Sequence, residues 1–384
     1  MDVGDFLCRG HVDWAGKLDQ AELRLSRAGV PDVMIPVAVR THAEAVGVAI
    51  PSMMEMCNSK EDPSIDINAV GHRVVHGGTS FRESTRVSQS VRKAIEELSQ
   101  LAPLHNPSAL AAIDAAELVL PGTPQVAVFD TALFTSLPPQ AFVYPVPYEW
   151  FSEWGIRRFG FHGISHSYGA HRAAEMLDRP LTDLRLVICH LGNGCSASAI
   201  VGGAPIATTM GFTPLDGLMM GTRSGAIDPG ILVYLQRQHG LAPGALDDVL
   251  NHRSGLLGVS GISGDVRQLE AAAEAGHERA GLALTMFADR VRASIGALAV
   301  GMGGVDALVF TAGVGENSAR VRADVCNGLS CLGLTLDAGK NVDVQLDDDI
   351  AIDSSSARIL VIKSREDLMI ARETERVQRL EQAC

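Results

Sequence analysis

The 384-residue sequence is poor in aromatic residues, at 5%, and poor in positive charge, with 32 lysines and arginines against 45 aspartates and glutamates. The resulting formal charge of -13 excludes a general nucleic-acid or anionic-membrane binder, whose affinity needs a basic face. Small anionic substrates stay open, because a few arginines can overcome a negative total locally. No apolar run approaches the roughly 18–20 residues of a membrane span. The opening "MDVGDFLCRGHVDWAG" has neither a basic nor an apolar segment, so it does not read as a signal peptide. The seven cysteines (Cys8, Cys57, Cys189, Cys195, Cys326, Cys331 and Cys384) form no C-x-x-C pair. Their odd count and scatter read as free thiols in a reducing compartment, so a cytoplasmic protein is expected. The nucleotide signature G-x-x-x-x-G-K-[ST] is absent, and no G-x-G-x-x-G follows an N-terminal strand. G-x-S-x-G and H-E-x-x-H are missing too, so no nucleophile-plus-base set is visible. That last absence is informative if the substrate is itself the nucleophile. A carboxylate is ionised at neutral pH and needs positioning and cations rather than a base.

What the chain does have is glycine, 39 of them, and 46% hydrophobic residues. That balance suits an α/β protein with tight turns around ligands. Apolar segments at 67–78, 125–130, 184–208, 305–311 and 358–364 read as strands. The segment 184–208 reads as two strands about a Gly-Asn-Gly turn. Helical spacing is read at 33–56, 88–103, 106–122, 165–180, 266–302 (with a break near Gly276), 318–329 and 365–382. Alternating strands and helices make the class α/β. The proline-rich stretch 131–150 suggests a crossing between two lobes.

Three glycine loops follow apolar strands: "HLGNGCSAS" (190–198), "TAGVGENSAR" (311–320) and the "HGG" at 76–78. Such turns offer backbone N–H groups to an anion, although a single one is more often just a tight turn. Arg73, Asp130, His162 and Arg223 are polar residues embedded in apolar or glycine-rich surroundings. Singly, each has a bland structural explanation. Together they favour a site, because buried charge must be matched. Two arginines without obvious local acidic partners call for an anion.

The motifs "GHRVVHGG", "LHNP", "FDTA", "RRFGFHGISH", "HLGNG", "MGFTPLDGLMMGTRSG", "FTAGVGEN" and "EDLMIARET", in this order, resemble those of the acetate kinase family. The resemblance covers nearly the whole chain from about residue 67 and is weaker from about residue 8. It implies two ribonuclease-H-like lobes of the acetate kinase/actin type. Residues 1–131 with the helix 367–384 would form the first lobe, and 132–366 the second. It implies a homodimer that converts ATP and acetate to ADP and acetyl phosphate, reversibly, by direct in-line transfer with Mg2+ or Mn2+.

By matching motif, Asp130 resembles the family's catalytic aspartate, and Arg73 and Arg223 its two anion-clamping arginines. His162 is similar to the histidine that donates to the phosphoryl oxygens, and His105 to a further phosphoryl-facing histidine. Val75, Leu104, Phe161 and Pro214 match the pocket for the acetate methyl, with Arg73 on the carboxylate. Glu366 matches the metal-site glutamate. Three segments resemble the nucleotide-binding stretches. They are His190, Leu191, Gly192, Asn193 and Gly194; then Asp265, Val266 and Arg267; then Gly313, Val314, Gly315, Glu316 and Asn317.

The chain departs from the family in four places. The family's opening strand and N-x-G-S-S-S-x-K loop have no counterpart, so the first lobe is expected to lack its opening hairpin, leaving neighbouring backbone groups unpaired. A start codon further upstream is the favoured explanation, since every later motif is intact. The competing one is a truncated, catalytically impaired member acting as a nucleotide-binding or scaffold protein. Phe134, Ala226 and Arg365 replace the usual histidine, aspartate and asparagine beside the site. A propionate or other short-chain acyl kinase is a further alternative, and Val75 is the residue whose size would decide it.

Overall fold

The computed structural model describes residues 6–14, 21–57, 66–103 and 105–382. The chain divides into two compact units, Met1–Ala132 with Glu366–Cys384, and Leu133–Arg365.

The first unit holds two three-stranded sheets. One is an antiparallel meander of β1 (Arg9–Asp13), β2 (Ala21–Arg27) and β3 (Val30–Val37). In β2, Ala21, Leu23 and Leu25 are buried while Glu22 and Arg24 face out, the period of two that a half-buried strand requires. The helix expected from residue 33 begins only at His42 and runs to Cys57. Residues up to Val37 are edge strand instead. The β-branched valines favour it, and an edge tolerates Pro31 and Pro36, which cannot donate to a ladder.

The second sheet joins β4 (Val70–Val74), β5 (Thr85–Arg86) and β6 (Gln125–Phe129) in the order β4-β6-β5. β4 and β6 are parallel, with Arg73 opposite Val128. No strand among the described residues pairs with the other edge of β4, and none links the two sheets. Val74, Ile95, Ile113, Ala127 and Phe129 form the core, with Phe81 stacked on Phe129 at 4.4 Å. The helix Gln89–Glu97 is capped as its sequence predicts, with Ser88 accepting from the Val91 N–H. The terminal helix Glu366–Gln382 packs on β4 so closely that a Cβ at Gly71 would run into Thr374 and Ile370.

The second unit is built on a six-stranded sheet in the order β11-β12-β10-β7-β8-β9. Its strands are β7 (Arg185–Leu191), β8 (Cys195–Val201), β9 (Ala204–Thr208), β10 (Ala307–Thr311), β11 (Asp348–Asp349) and β12 (Arg358–Val361). The central β7, β10 and β12 are parallel. The continuous apolar runs of β7 and β10 are buried, as expected for parallel strands covered on both faces. The segment 184–208 makes three strands rather than two. Gly202 and Gly203 both take positive φ (59° and 84°), the requirement of a tight two-residue hairpin, and turn β8 back into β9. The helical stretch after Asp265 splits into Val266–Glu274 and Glu278–Gly301, with Gly276 at φ 88° in the break.

The expected glycine loop after β10 is a short helix, Ala312–Asn317. The Glu316 carboxylate closes it by accepting from the Ala312 N–H at 2.9 Å and from Ser364 N–H at 2.7 Å. No helix among the described residues is long and apolar enough to cross a membrane.

Candidate active site

In the first unit, the parallel pairing of β4 with β6 sets Arg73 beside Asp130, the residue that follows β6 and donates its N–H to Val74 O at 3.0 Å. Arg73 Nη2 lies 2.6 Å from Asp130 Oδ2, and Nε lies 3.1 Å from both carboxylate oxygens. Glu366 Oε2 stands 3.6 Å from Arg73 Nε. The pair is lopsided: the Asp130 side chain is 1% exposed and that of Arg73 42%. Asp130 drives the guanidinium well above its ordinary range. Burial raises the Glu366 carboxyl, Arg73 opposes this, and the charges of Asp130 and Asp367 add to the rise.

Arg73 has no local acidic partner in the sequence, as expected, but has two distant ones in the fold. Its partners stand 57 and 293 positions away in sequence, where no local pattern shows them. Val75 follows β4 and is half-buried. His105 is half-buried at the residue before the helix Asn106–Val119, and its N–H donates to Ala102 O at 3.0 Å. Leu104 lies outside the described residues.

In the second unit, His162 opens the helix Gly163–Leu177 in the left-handed region, at φ 60°. A non-glycine residue there is strained, and such strain clusters at functional sites. Its ring stacks on His190 at 4.1 Å, and Nδ1 lies 3.0 Å from Ser196 Oγ. Arg223 donates through Nη1 to Pro214 O at 3.0 Å. Among the described residues no carboxylate lies within ion-pair distance of Arg223, and burial pushes its guanidinium below the ordinary range.

His162 and Arg223 face the same spot. A Cβ built on Gly194 would stand 3.4 Å from His162 Nε2 and 3.6 Å from Arg223 Nη1. A histidine and a cation thus come together beside a residue with no side chain. Phe161 is buried at 1% exposure. Ala226, exposed, donates its N–H to Gly217 O and accepts from Arg290. Phe134 is fully buried, in a T-shaped contact with His166 at 5.8 Å.

A cavity of about 690 Å³ lies in the same unit, lined by Gly192, Asn193, Asp265, Val266, Arg267, Gly313, Val314 and Asn317, with Gly264, Glu270 and Ser318. The first eight come from the three segments singled out in the sequence. Its size is that of a small-molecule site. Of the remaining residues in those segments, Leu191 and Gly315 are buried and Glu316 ties off the helix after β10. His190 holds Ser165 Oγ through Nδ1 at 2.8 Å, and Gly194 faces His162 and Arg223. Glu270 and Ser318 were missed. Glu270 accepts from Ser318 Oγ at 2.5 Å, and its position one turn into a helix that starts at Val266 is the signal that finds it. Asp265 caps that helix by accepting from the Arg267 N–H. No group of three or more His, Cys, Asp or Glu close enough to hold a metal occurs among the described residues.

The mixed α/β fold, the small-molecule cavity and these polar groups fit an actin-like phosphotransferase. The model of the Acetokinase family matches residues 3–372. The chain belongs to the acetate kinase family. It is 58% identical over 313 residues to an acetate kinase of Gloeobacter violaceus, covering 81% of this chain and 77% of that protein. Among solved structures it is similar to Porphyromonas gingivalis acetate kinase (TM-score 0.88, 39% identity, 98% of this chain and 95% of that one). It is similar also to a propionate kinase from Francisella tularensis (TM-score 0.88, 35% identity, 97% of this chain and 93% of that one).

Proposed function

We propose that this protein transfers the γ-phosphoryl group of ATP to acetate, giving ADP and acetyl phosphate, and catalyses the reverse reaction. The observation that carries the reading is the approach of Arg223 and His162 to one point beside Gly194, in the unit that also holds the nucleotide-sized cavity. ATP occupies that cavity, against the backbone of Gly192 and Gly313 and the side chains of Asn193 and Asn317. An acetate oxygen attacks the γ-phosphorus while the bond to the β-phosphate oxygen breaks with its electron pair on ADP. No proton is transferred, which accounts for the missing base. Arg223 and His162 donate to the equatorial oxygens as their charge shifts. The first unit contributes Arg73, which binds the carboxylate and is oriented by Asp130. By the resemblance to the family, Val75 of the first unit and Phe161 and Pro214 of the second are the proposed contacts of the methyl group.

Mg2+ fits the residues present. It usually takes one or two carboxylates and completes its shell with water and phosphate oxygens. Asp130 and Glu366 supply two carboxylates beside the cation Arg73, and burial first, then the charge of Asp130, raises Glu366. When bound, the ion neutralises phosphate charge. The working form is a homodimer in the cytoplasm. The helix Pro229–His239 has no buried residue and exposes Ile231, Val233 and Tyr234 beside Ile227, an apolar face suited to a second copy.

Detection of acetyl phosphate as its hydroxamate tests the function. Acetate- and ATP-dependent product from the native chain, lost in Arg223→Ala, is expected. Near-normal product from a folded Arg223→Ala protein would remove Arg223 from the mechanism. Propionate competing better than acetate would reassign the acyl group.

A further inference from the structure

Behind His162 lies a set of polar side chains that the transfer, as described, does not use. Ser196 and Ser198 on β8, and His166 one turn into the helix Gly163–Leu177, have no exposed surface. Ser196 Oγ stands 3.0 Å from His162 Nδ1 and 2.7 Å from His166 Nε2. Ser198 Oγ lies 3.4 Å from the same Nε2 and 2.8 Å from Thr208 Oγ1, which donates to Ala197 O.

The polarity of this chain can be worked out from its buried end. Burial pushes His166 down to about 3, so its ring is neutral and carries one hydrogen. Its Nδ1 has no hydrogen-bond partner among the described residues. Phe134 packs against this ring in a T-shaped contact. A buried N–H without an acceptor is rarer and costlier than an acceptor without a donor. The hydrogen therefore sits on Nε2 and is donated to Ser196 Oγ, with Ser198 as a weaker second acceptor. A serine hydroxyl has one hydrogen. With its oxygen already accepting from His166, Ser196 directs that hydrogen to His162 Nδ1. A ring that accepts at Nδ1 keeps its own hydrogen on Nε2, the nitrogen that faces the spot beside Arg223.

We propose that Ser196 and His166 are positioning residues that hold His162 as the Nε2–H tautomer, so that it presents a hydrogen rather than a lone pair to the transferring phosphoryl group. This rests on the reading of the site given above. The opposite polarity would leave the His166 Nδ1–H buried without an acceptor and would turn the His162 lone pair toward an anion. Both faults are avoided by one hydroxyl.

Long-range proton–nitrogen NMR spectra of the full-length protein test the tautomer directly, with His162→Ala and His166→Gln used for assignment. A hydrogen on Nε2 and a bare Nδ1 are expected for both rings, and a hydrogen on His162 Nδ1 would overturn the proposal. Ser196→Ala is expected to lose this pattern at His162 and to lower kcat about tenfold or more, with KM for ATP and acetate within about twofold. Ser196→Thr, which keeps the hydroxyl, is expected to restore both. A Ser196→Ala enzyme with native kcat would also overturn it. If Ser196→Ala does not fold, the native spectrum alone decides. Normal turnover by His162→Ala would instead sink the phosphoryl-binding reading, while the spectrum still judges the relay.

Discussion

Arg73 and Arg223 carry the same charge and the same proposed role toward the substrates, but replacing each with alanine should separate them by stability. Arg73 is the hydrogen-bonding partner of Asp130, whose side chain is 1% exposed. Removing one member of a buried pair leaves a stranded charge, at a cost of about 3–5 kcal/mol. Here the Arg73 side chain is 42% exposed, so water screens the pair and the expected cost of Arg73→Ala falls to about 1–3 kcal/mol. For a unit of this size that lowers Tm by roughly 2–4 °C per kcal/mol. Arg223 has no carboxylate partner among the described residues, and burial already works against its charge. Arg223→Ala strands no charge, leaving only the Pro214 carbonyl without its donor, and should change stability by about 1 kcal/mol or less. Each variant should lose about 10²–10³ in turnover, the usual effect of deleting one transition-state donor. The double variant Arg73→Ala/Asp130→Asn should recover much of the stability and none of the activity, because it removes the stranded charge but not the need for a cation. Scanning calorimetry and the hydroxamate assay on the same preparations give both readouts. Equal losses of Tm for the two single variants would refute the reasoning, as would an Arg73→Ala protein as stable as the native chain.

Gly194→Ala should fold normally, since its Cβ makes ordinary contacts at 3.4–3.6 Å, yet it should lose most turnover by filling the spot that His162 and Arg223 share; native activity there would disprove that placement. Chelating divalent cations should abolish acetyl phosphate formation, and Glu366→Gln should raise the Mg2+ needed for half-maximal rate about tenfold or more, read from a Mg2+ titration. Buried His76 and His166 stay neutral in the folded state down to about 4 and 3, whereas the unfolded chain protonates both near 6.5. The unfolded state thus binds more protons in this window. Stability should be full above pH 6.5 and decline below it by up to about 2.7 kcal/mol per pH unit. Urea unfolding at stepped pH checks this, and a flat profile between 6.5 and 5 would contradict it.

The fold was readable wherever apolar period and turn chemistry act locally. Buried runs such as "RLVICHL" and "ALVFT", and the Ser88 cap, announce themselves. The misreadings occur where a distant partner decides. Residues 33–37 became strand because β2 was there to pair with them. The segment after β10 became helix because Glu316 reaches back to the Ala312 N–H and across to Ser364. The turn at Gly202–Gly203 is legible in principle from its two adjacent glycines, as the Gly-Asn-Gly turn before it is. Glu270 and Ser318 escaped notice because each is unremarkable alone and gains meaning only by facing the other.

Residue types and their local spacing were enough to determine the α/β class, the glycine turns after buried strands, and the four suspect residues Arg73, Asp130, His162 and Arg223. These follow from chemistry that each residue carries within a few positions of itself. Partnership was decided only by tertiary structure. Arg73 is neutralised and Arg223 is not, because strand pairing brings Asp130 to one and leaves the other to a backbone carbonyl. His162 acquires a direction for its hydrogen because β8 places Ser196 between it and a histidine sealed from water. Burial and long-range register set the charge and polarity of a side chain, and neither is a property of the chain before it folds.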